Sequence, residues 1–445
     1  MSSKGNRRRS YDDELAALRD KIETIPAPTR ARERELSRFT SATGPNAVEI
    51  DTIKPTVVDL FCGAGGLSLG FTQAGFQISL ACDLDAVACD TFRLNHPDVE
   101  HSRIITGDVR EHLPLFSQII GEGPDVLAGG PPCQGFSQVN QRSPKDDPRN
   151  ALYRDFVRAA EVLQPKFIVM ENVRGMTRIA DAVCRDFEAV SITTSEQTLS
   201  YKASYQLFNA YDFGVAQNRE RLIFIGVRTD LVDSDGVTPE VLLEHIAISC
   251  ENRSRYVLTD ALDYLRPLEA PHRMHVGEID TPEWGGKVEL NPYKGNESPY
   301  LRQINLERTI PYIYNHKARY CSELNHEIYS LMEQGDDGTC HSISNIFPYK
   351  HRNRIFKDKY FRLFADRPCR TITAHLRSDC HSHIHPTQAR GLNPREAARA
   401  QSFPDDYLFM GPYLIPYIHI GNAVPPVMSK VIASSIMHYL DRSNQ

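Results

Sequence analysis

The chain has 445 residues, 41% of them hydrophobic and 24% charged, which fits an ordinary water-soluble protein of about two domains and a tail. Its net charge of -6 does not mark it as a nucleic-acid binder, and no apolar run approaches the ~20 residues that a membrane helix needs. The basic, polar residues 1–10 lack the apolar core of a secretory signal, and the 10 cysteines contain no Cys-x-x-Cys pair, which argues against a zinc ribbon or disulfide scaffold and for a reducing cytoplasm.

Residues 1–50 are polar and charge-mixed. A short helix is expected over 12–23, followed by a Pro26-Ala27-Pro28 break, and the segment reads as a mobile extension with one docked helix and no chemistry. From Val57 the pattern becomes α/β. Strands are expected at 57–61, 77–82, 125–128, 167–170 and 222–227, with helices at 67–74, 85–95 and 153–163 between them. Such alternation predicts a mainly parallel, doubly wound sheet with helices on both faces. Ligands then bind outside the carboxyl ends of the strands. From 229 to 390 the alternation fades into a stretch rich in His, Arg, Tyr and Pro, with isolated strand-like pieces such as 370–374. It reads as a smaller, irregular second domain. A helix over 394–401, capped by Asn393 with Pro394 at its first position, and a final amphipathic helix over 427–440 close the chain.

Four groups of residues carry candidate chemistry. Cys133 sits in Gly129-Gly130-Pro131-Pro132-Cys133-Gln134-Gly135-Phe136-Ser137, directly after an apolar strand. Two prolines hold that turn stiff and non-helical, so a thiol is presented at a strand end, a half-buried loop cysteine being the plainer alternative. Asp59-Leu60-Phe61-Cys62-Gly63-Ala64-Gly65-Gly66 is a glycine turn between strand and helix. It lacks the strict Gly-x-Gly-x-x-Gly pattern, which favours a nucleoside over a pyrophosphate. Asp83 and Asp108 are strand-end carboxylates suited to a ribose and an adenine amino group, although Asp83 also suits a helix cap. Arg219 and Arg221, at period two in Gln217-Asn218-Arg219-Glu220-Arg221, suit a phosphate or a carbonyl oxygen, or a salt-bridged strand edge. Basic residues concentrate between 350 and 377 (Lys350, Arg352, Arg354, Lys357, Lys359, Arg362, Arg367, Arg370 and Arg377), against Asp358 and Asp366 alone. The Cys380–His385 run is too tightly spaced for a zinc site, and no metal is assigned.

The order of these motifs resembles the DNA (cytosine-5) methyltransferases. The resemblance runs through 59–66, Asp83, Gly107-Asp108, Pro132-Cys133-Gln134, Glu171-Asn172-Val173, 217–221, Arg395-Glu396-Ala397-Ala398-Arg399 and Gly421-Asn422-Ala423-Val424. It covers roughly 55–228 and 390–440. It implies a Rossmann-like sheet that binds S-adenosyl-L-methionine, formed by 55–228 and completed by 391–442, with a target-recognition domain over 229–390. By resemblance, Cys133 is the nucleophile that adds to carbon 6 of cytosine, and Glu171 holds N3 and the exocyclic amine. Arg221 holds O2, and Arg219 orders the catalytic loop or contacts a phosphate. Phe61, Gly63, Gly65, Leu67, Asp83, Leu84, Asp108, Pro132, Asn422 and Ala423 line the cofactor site. Asp83 and Leu84 depart from the glutamate and aromatic residue commoner in the family. Gln134 and Ser137, in a loop over 134–150, and Lys350, Arg352, Arg354, Lys357, Arg370, Thr373 and Arg377 would contact DNA.

The implied activity is methylation of a flipped cytosine in a specific double-stranded site by a monomeric, cytoplasmic bacterial modification enzyme, nucleoid-associated when on DNA. A cognate restriction endonuclease acting separately would fit that setting. The alternatives are a transfer-RNA methyltransferase, whose Cys-Phe-Thr signature this chain lacks, and a catalytically silent DNA-binding member.

Overall fold

The β-branched run Thr56-Val57-Val58 favours extended backbone, and it forms β1 (Thr56–Leu60) near the middle of a seven-stranded sheet. The computed structural model describes residues 10–25, 29–39, 54–121, 123–132, 152–193, 197–273, 279–295, 298–349 and 359–443. The sheet order is β3-β2-β1-β4-β5-β9-β8. Its other members are β2 (Gln77–Asp83), β3 (Ile104–Thr106), β4 (Val126–Gly129), β5 (Phe167–Val173), β8 (Tyr201–Asn209) and β9 (Glu220–Arg228). β6 (Ile192–Thr193) and β7 (Thr198–Leu199) pair separately as a short hairpin. β1 to β5 run parallel, whereas β9 pairs antiparallel with β5 and β8 antiparallel with β9. The five strands expected in the α/β stretch are all present. β3 and β8 were not expected, because β3 is three residues long and the edge strand β8 is mostly half-buried, with no apolar run to mark it.

Strand alternation separates two faces of β1. Val58 and Leu60 join the core cluster with residues of α5 (Val109–Ile120), α6 (Leu152–Leu163) and α7 (Ala180–Glu188), such as Phe116, Phe156 and Phe187. Asp59 points the other way, to Ser68 on α3 (Gly66–Gln73). α3 packs closely on α15 (Pro426–Ser443): a Cβ on Gly70 would lie 2.3 Å from that of Ser429, and the Ser429 hydroxyl donates to the Leu67 carbonyl at 2.6 Å. α4 (Ala86–Asn95), capped by Asp85, follows β2; α8 (Thr229–Asp235) and α9 (Pro239–Glu251) follow β9. These elements belong to one compact unit, Thr43–Gly214, Arg219–Arg255 and Ala423–Gln445.

The second unit comprises Met1–Ala42, Val215–Asn218 and Tyr256–Asn422. The unit boundaries thus differ from the expected domain bounds, since 391–422 stays with the irregular unit. The reason is a buried electrostatic anchor around α13 (Pro394–Ala400). Arg390 pairs with Glu396 at 2.6 Å, Arg399 with Asp405 at 2.6 Å, and Arg395 donates to the carbonyls of Tyr314 and Pro404. The unit also holds α10 (Leu258–Leu262), the antiparallel pair β10 (Gly285–Leu290) and β11 (Tyr312–Lys317), α11 (Pro299–Ile304), α12 (Glu323–Leu331) and α14 (Ile415–Asn422). Residues 370–373 form no strand. Only Cys369 makes a single bridge, to Gln217, and Gly421 packs against the backbone of Thr373 and Ala374 where a partner strand would be needed.

Over its described residues the N-terminal extension is docked through two helices, where one docked helix was expected. α1 (Tyr11–Thr24) buries Leu15, Leu18 and Ile22. Its Glu14 accepts from the Gly411 amide and pairs with Lys287, and Lys21 pairs with Asp280. In α2 (Thr29–Arg38), buried Glu35 lies 2.6 Å from Arg38 and accepts from the Tyr314 hydroxyl. Glu35→Ala strands a largely buried guanidinium and should cost this unit roughly 2–4 kcal/mol, whereas Lys21→Ala, at a more exposed pair, should cost less than ~1 kcal/mol. Chemical unfolding measures both, and equal losses would refute this ranking.

Candidate active site

The catalytic candidates converge where β4, β5 and β9 end or begin. β4 runs into Gly129-Gly130-Pro131-Pro132, and β5 carries Glu171 and Asn172 beside it. A Cβ on Gly129 would lie 2.3 Å from the Leu60 carbonyl oxygen, so only glycine passes this point. At Gly130 a Cβ would lie 3.1 Å from Glu171 Oε2, so the missing side chain leaves that oxygen uncovered. Asn172 donates from its amide to the Pro131 carbonyl at 2.9 Å. This bond fixes the turn from which the chain continues, through Pro132, to Cys133.

Glu171 is 8% exposed and faces Arg221, whose Nε lies 2.6 Å from Glu171 Oε1. Their meeting follows from register. Arg221 pairs with Val173 across the antiparallel β5–β9 ladder, and Glu171 lies two residues back on the same face. Burial lowers the Arg221 pKa from its ordinary value, and the Glu171 carboxylate opposes that shift. A guanidinium stays protonated in proteins, so the pair presents one fixed cation and one carboxyl. Arg219, also lowered by burial, is fully buried and donates from Nη2 to the Ala423 carbonyl at 2.9 Å. It ties the segment before β9 to the start of the C-terminal segment of its unit.

At the carboxyl end of β1, Phe61 (φ +58°), Gly63 (φ +53°) and Gly65 (φ +88°) turn the chain through left-handed conformations. Asp83 stabilises that turn. One of its carboxylate oxygens accepts from the Gly63 amide at 2.8 Å and the other from the Asp85 amide at 2.8 Å. A Cβ on Gly63 would meet nothing within 4 Å, so the turn borders open space. Asp108 caps α5 and pairs with Arg110 at 2.5 Å, which holds its carboxyl below the usual range. Leu67 is buried, Leu84 is 72% exposed, and Asn422 is exposed at the end of α14 in the other unit. Two participants escaped the sequence reading. Buried His96, lowered to about 4 by burial, lies 3.3 Å through Nε2 from the Gly65 carbonyl. Asp59 accepts from the Ser68 hydroxyl at 2.6 Å.

Of the predicted DNA contacts, Thr373 and Arg377 are exposed, and Arg370 lies over the Phe361 ring at 4.5 Å. Cys133, Gln134, Ser137, Lys350, Arg352, Arg354 and Lys357 lie outside the described residues. His381, His383 and His385 serve the interior: His381 stacks on Tyr360, and His385 Nδ1 accepts from the Thr387 and Gln388 amides. Among the described residues no helix is long and apolar enough to cross a membrane.

A family model for the C-5 cytosine-specific DNA methylases matches residues 55–438. The chain belongs to that family. This DNA methylase is 33% identical over 413 residues to the type II methyltransferase M.DdeI of Desulfomicrobium norvegicum, covering 87% of this chain and 90% of the relative. It is 33% identical over 389 residues to the type II methyltransferase M1.HphI of Haemophilus parahaemolyticus, with 86% of each chain covered. Its fold resembles the crystal structure of a prophage-encoded E. coli protein assigned as a DNA modification methyltransferase. The TM-score is 0.64 at 25% identity, covering 87% of this chain and all of the other.

The methylase keeps one unusual acid beneath its glycine turn. Asp59 is 1% exposed, and burial pushes its pKa from 3.8 up to about 7, with nearby Asp83 adding to the rise. A carboxyl whose folded pKa exceeds its unfolded value binds a proton more tightly when folded. Its stabilising effect is therefore lost as pH rises from 3.8 to about 7. Asp59→Asn removes this titration and can still accept from Ser68. Thermal melting across that range should show a flatter stability profile for the variant, and parallel profiles would refute the assignment.

Proposed function

We propose that this protein methylates carbon 5 of a cytosine flipped out of double-stranded DNA, through a transient bond between Cys133 and carbon 6. The observation that carries the proposal is the buried Glu171–Arg221 pair, set beside a proline turn that Asn172 ties down immediately before Cys133. Carbon 5 of cytosine is too weak a nucleophile to take a methyl group unaided. Addition of the Cys133 thiolate to carbon 6 forms a carbon–sulfur bond and pushes the ring electrons toward carbon 5, N3 and O2. Glu171 meets N3 and the exocyclic amine, where a proton is needed as charge accumulates. Arg221 donates toward O2, where negative charge develops, from a nearly water-free position. Loss of the carbon 5 proton after methylation restores the double bond and expels the thiolate.

The residues fit S-adenosyl-L-methionine as the methyl donor. The open space beside Gly63, the half-buried Phe61 ring and the strand-end carboxylate of Asp83 form a cradle for a nucleoside, with Asp108 nearby in sequence order at the next strand end. Bound there, the donor supplies an electrophilic methyl sulfonium. Gly65, Leu67, Pro132 and Ala423 complete the proposed cofactor set within this unit, and Leu84, being exposed, offers an apolar surface in place of an aromatic one. Flipping the base costs a few kcal/mol, which contacts to DNA must offset.

The family and the type II relatives favour DNA over RNA and a restriction-modification setting, in which a separate nuclease cuts the unmethylated site. Incubation with labelled S-adenosylmethionine and mixed-sequence DNA should place label on cytosine carbon 5, as bisulfite sequencing of the product would map. Label on transfer RNA and none on DNA would contradict the proposal. Cys133→Ser should lower transfer at least ~1,000-fold while leaving donor binding intact. Activity within about tenfold of the parent would exclude the covalent route.

A further inference from the structure

Arg367 lies over the face of Phe364, with its guanidinium carbon 3.8 Å from the ring centroid. The tip of that ring is pressed against Gly335, where a Cβ would come within 2.2 Å of Phe364 Cζ. Phe364 is therefore a fixed shelf. The backbone beneath it is pinned on several sides. The Leu258 amide donates to the Arg367 carbonyl at 2.9 Å, the Thr259 amide to the Ala365 carbonyl at 3.0 Å, and the Ala365 amide to Gln334 Oε1 at 2.8 Å. A second stack stands alongside, Arg370 over Phe361, with the two rings 6.1 Å apart.

Arg367 differs from its neighbours in what its donors do. Arg362 spends its guanidinium on the carbonyls of Tyr329, Met332 and Pro386. Arg367 is exposed, and its side chain makes no hydrogen bond or ion pair among the described residues, adjacent Asp366 included. From 359 to 377 the only acid is Asp366, against Lys359, Arg362, Arg367, Arg370 and Arg377. A planar cation levelled on an aromatic face keeps its N–H edges pointing outward in one plane, which suits two adjacent acceptors. A mobile surface arginine would have to give up rotamer freedom to do the same.

We propose that Arg367, levelled by Phe364, contacts double-stranded DNA by donating to a pair of adjacent acceptors, either O6 and N7 of a guanine or two oxygens of a phosphate. Arg367 makes the contact and Phe364 is a positioning residue. The proposal rests on the DNA-methylation reading, and transfer by the parent chain to DNA tests that reading separately.

The experiment compares Arg367→Ala, Arg367→Lys and Phe364→Leu in the full-length protein, each with thermal melting and donor binding as controls for folding. DNA affinity is measured over a salt series, and kcat and KM are measured for DNA. Arg367→Ala should weaken DNA binding by about tenfold or more, with the loss in KM and kcat held within about twofold. Arg367→Lys, which keeps the charge but not the fork, should stay impaired, and Phe364→Leu should lose part of the same affinity. A guanine contact shows as relaxed preference at one position of the methylated site. A phosphate contact shows as a uniform loss with a salt slope smaller by about one. Well-folded Arg367→Ala that binds and methylates DNA like its parent would overturn the proposal. So would full activity in Arg367→Lys beside a loss in Arg367→Ala, because charge alone would then suffice. If Arg367→Ala does not fold, the lysine and leucine variants decide by the same criteria.

Discussion

One buried contact, between the Arg221 guanidinium and the Glu171 carboxylate, stands at the centre of the proposed catalytic crevice. It exists because β9 runs antiparallel to β5 and places the arginine diagonally across from the acid. Had β9 continued the parallel order, the entry of that strand would lie at the opposite end of the sheet. The reversal thus brings a cation made early in β9 to an acid made late in β5. Both side chains are about nine-tenths buried, so removing either would leave an uncompensated charge. As a source of stability, such a pair roughly offsets its own desolvation.

The glycines around this pair work by absence. Gly129 lets β4 pass the Leu60 carbonyl, and Gly130 leaves a carboxylate oxygen of Glu171 open. Asn172, next to the acid, closes the arrangement by holding Pro131. A strand end, a stiff turn and an ion pair are therefore coupled through adjacent residues. The cofactor side repeats the logic with different parts. Asp83 grips the glycine turn through one oxygen and starts the next helix through the other. Beneath the turn, Asp59 trades stability at neutral pH for a hydrogen bond to Ser68.

Much of this was legible in the residues. The parallel strands announced themselves as apolar runs because both faces of such a sheet are covered. Asp83 and Glu171 stood out because they sit at strand ends, and Arg221 because it lies at period two from Arg219. β8 was missed because an edge strand half-exposed on its faces carries no continuous apolar signal. The strand expected over 370–374 failed because β propensity without a partner strand makes no ladder. One docked helix was expected before residue 50, but the docking of α2 escaped because its bonds span long separations, as between Glu35 and Tyr314. From its spacing Arg219 suited a phosphate, a carbonyl oxygen or a salt-bridged strand edge. Only its complete burial shows that it ties Ala423. Arg367 was one charge in a basic stretch until the ring beneath it came into view.

The covalent route stands or falls on a trapping measurement with DNA in which 5-fluorocytosine replaces the target cytosine. Fluorine at carbon 5 cannot leave as the proton does, so after methylation the sulfur bond persists. The predicted result, with S-adenosylmethionine present, is a denaturation-resistant complex joined through Cys133 that forms far more slowly in Glu171→Gln. A methylated natural site with no such complex on its fluorinated counterpart would contradict the account.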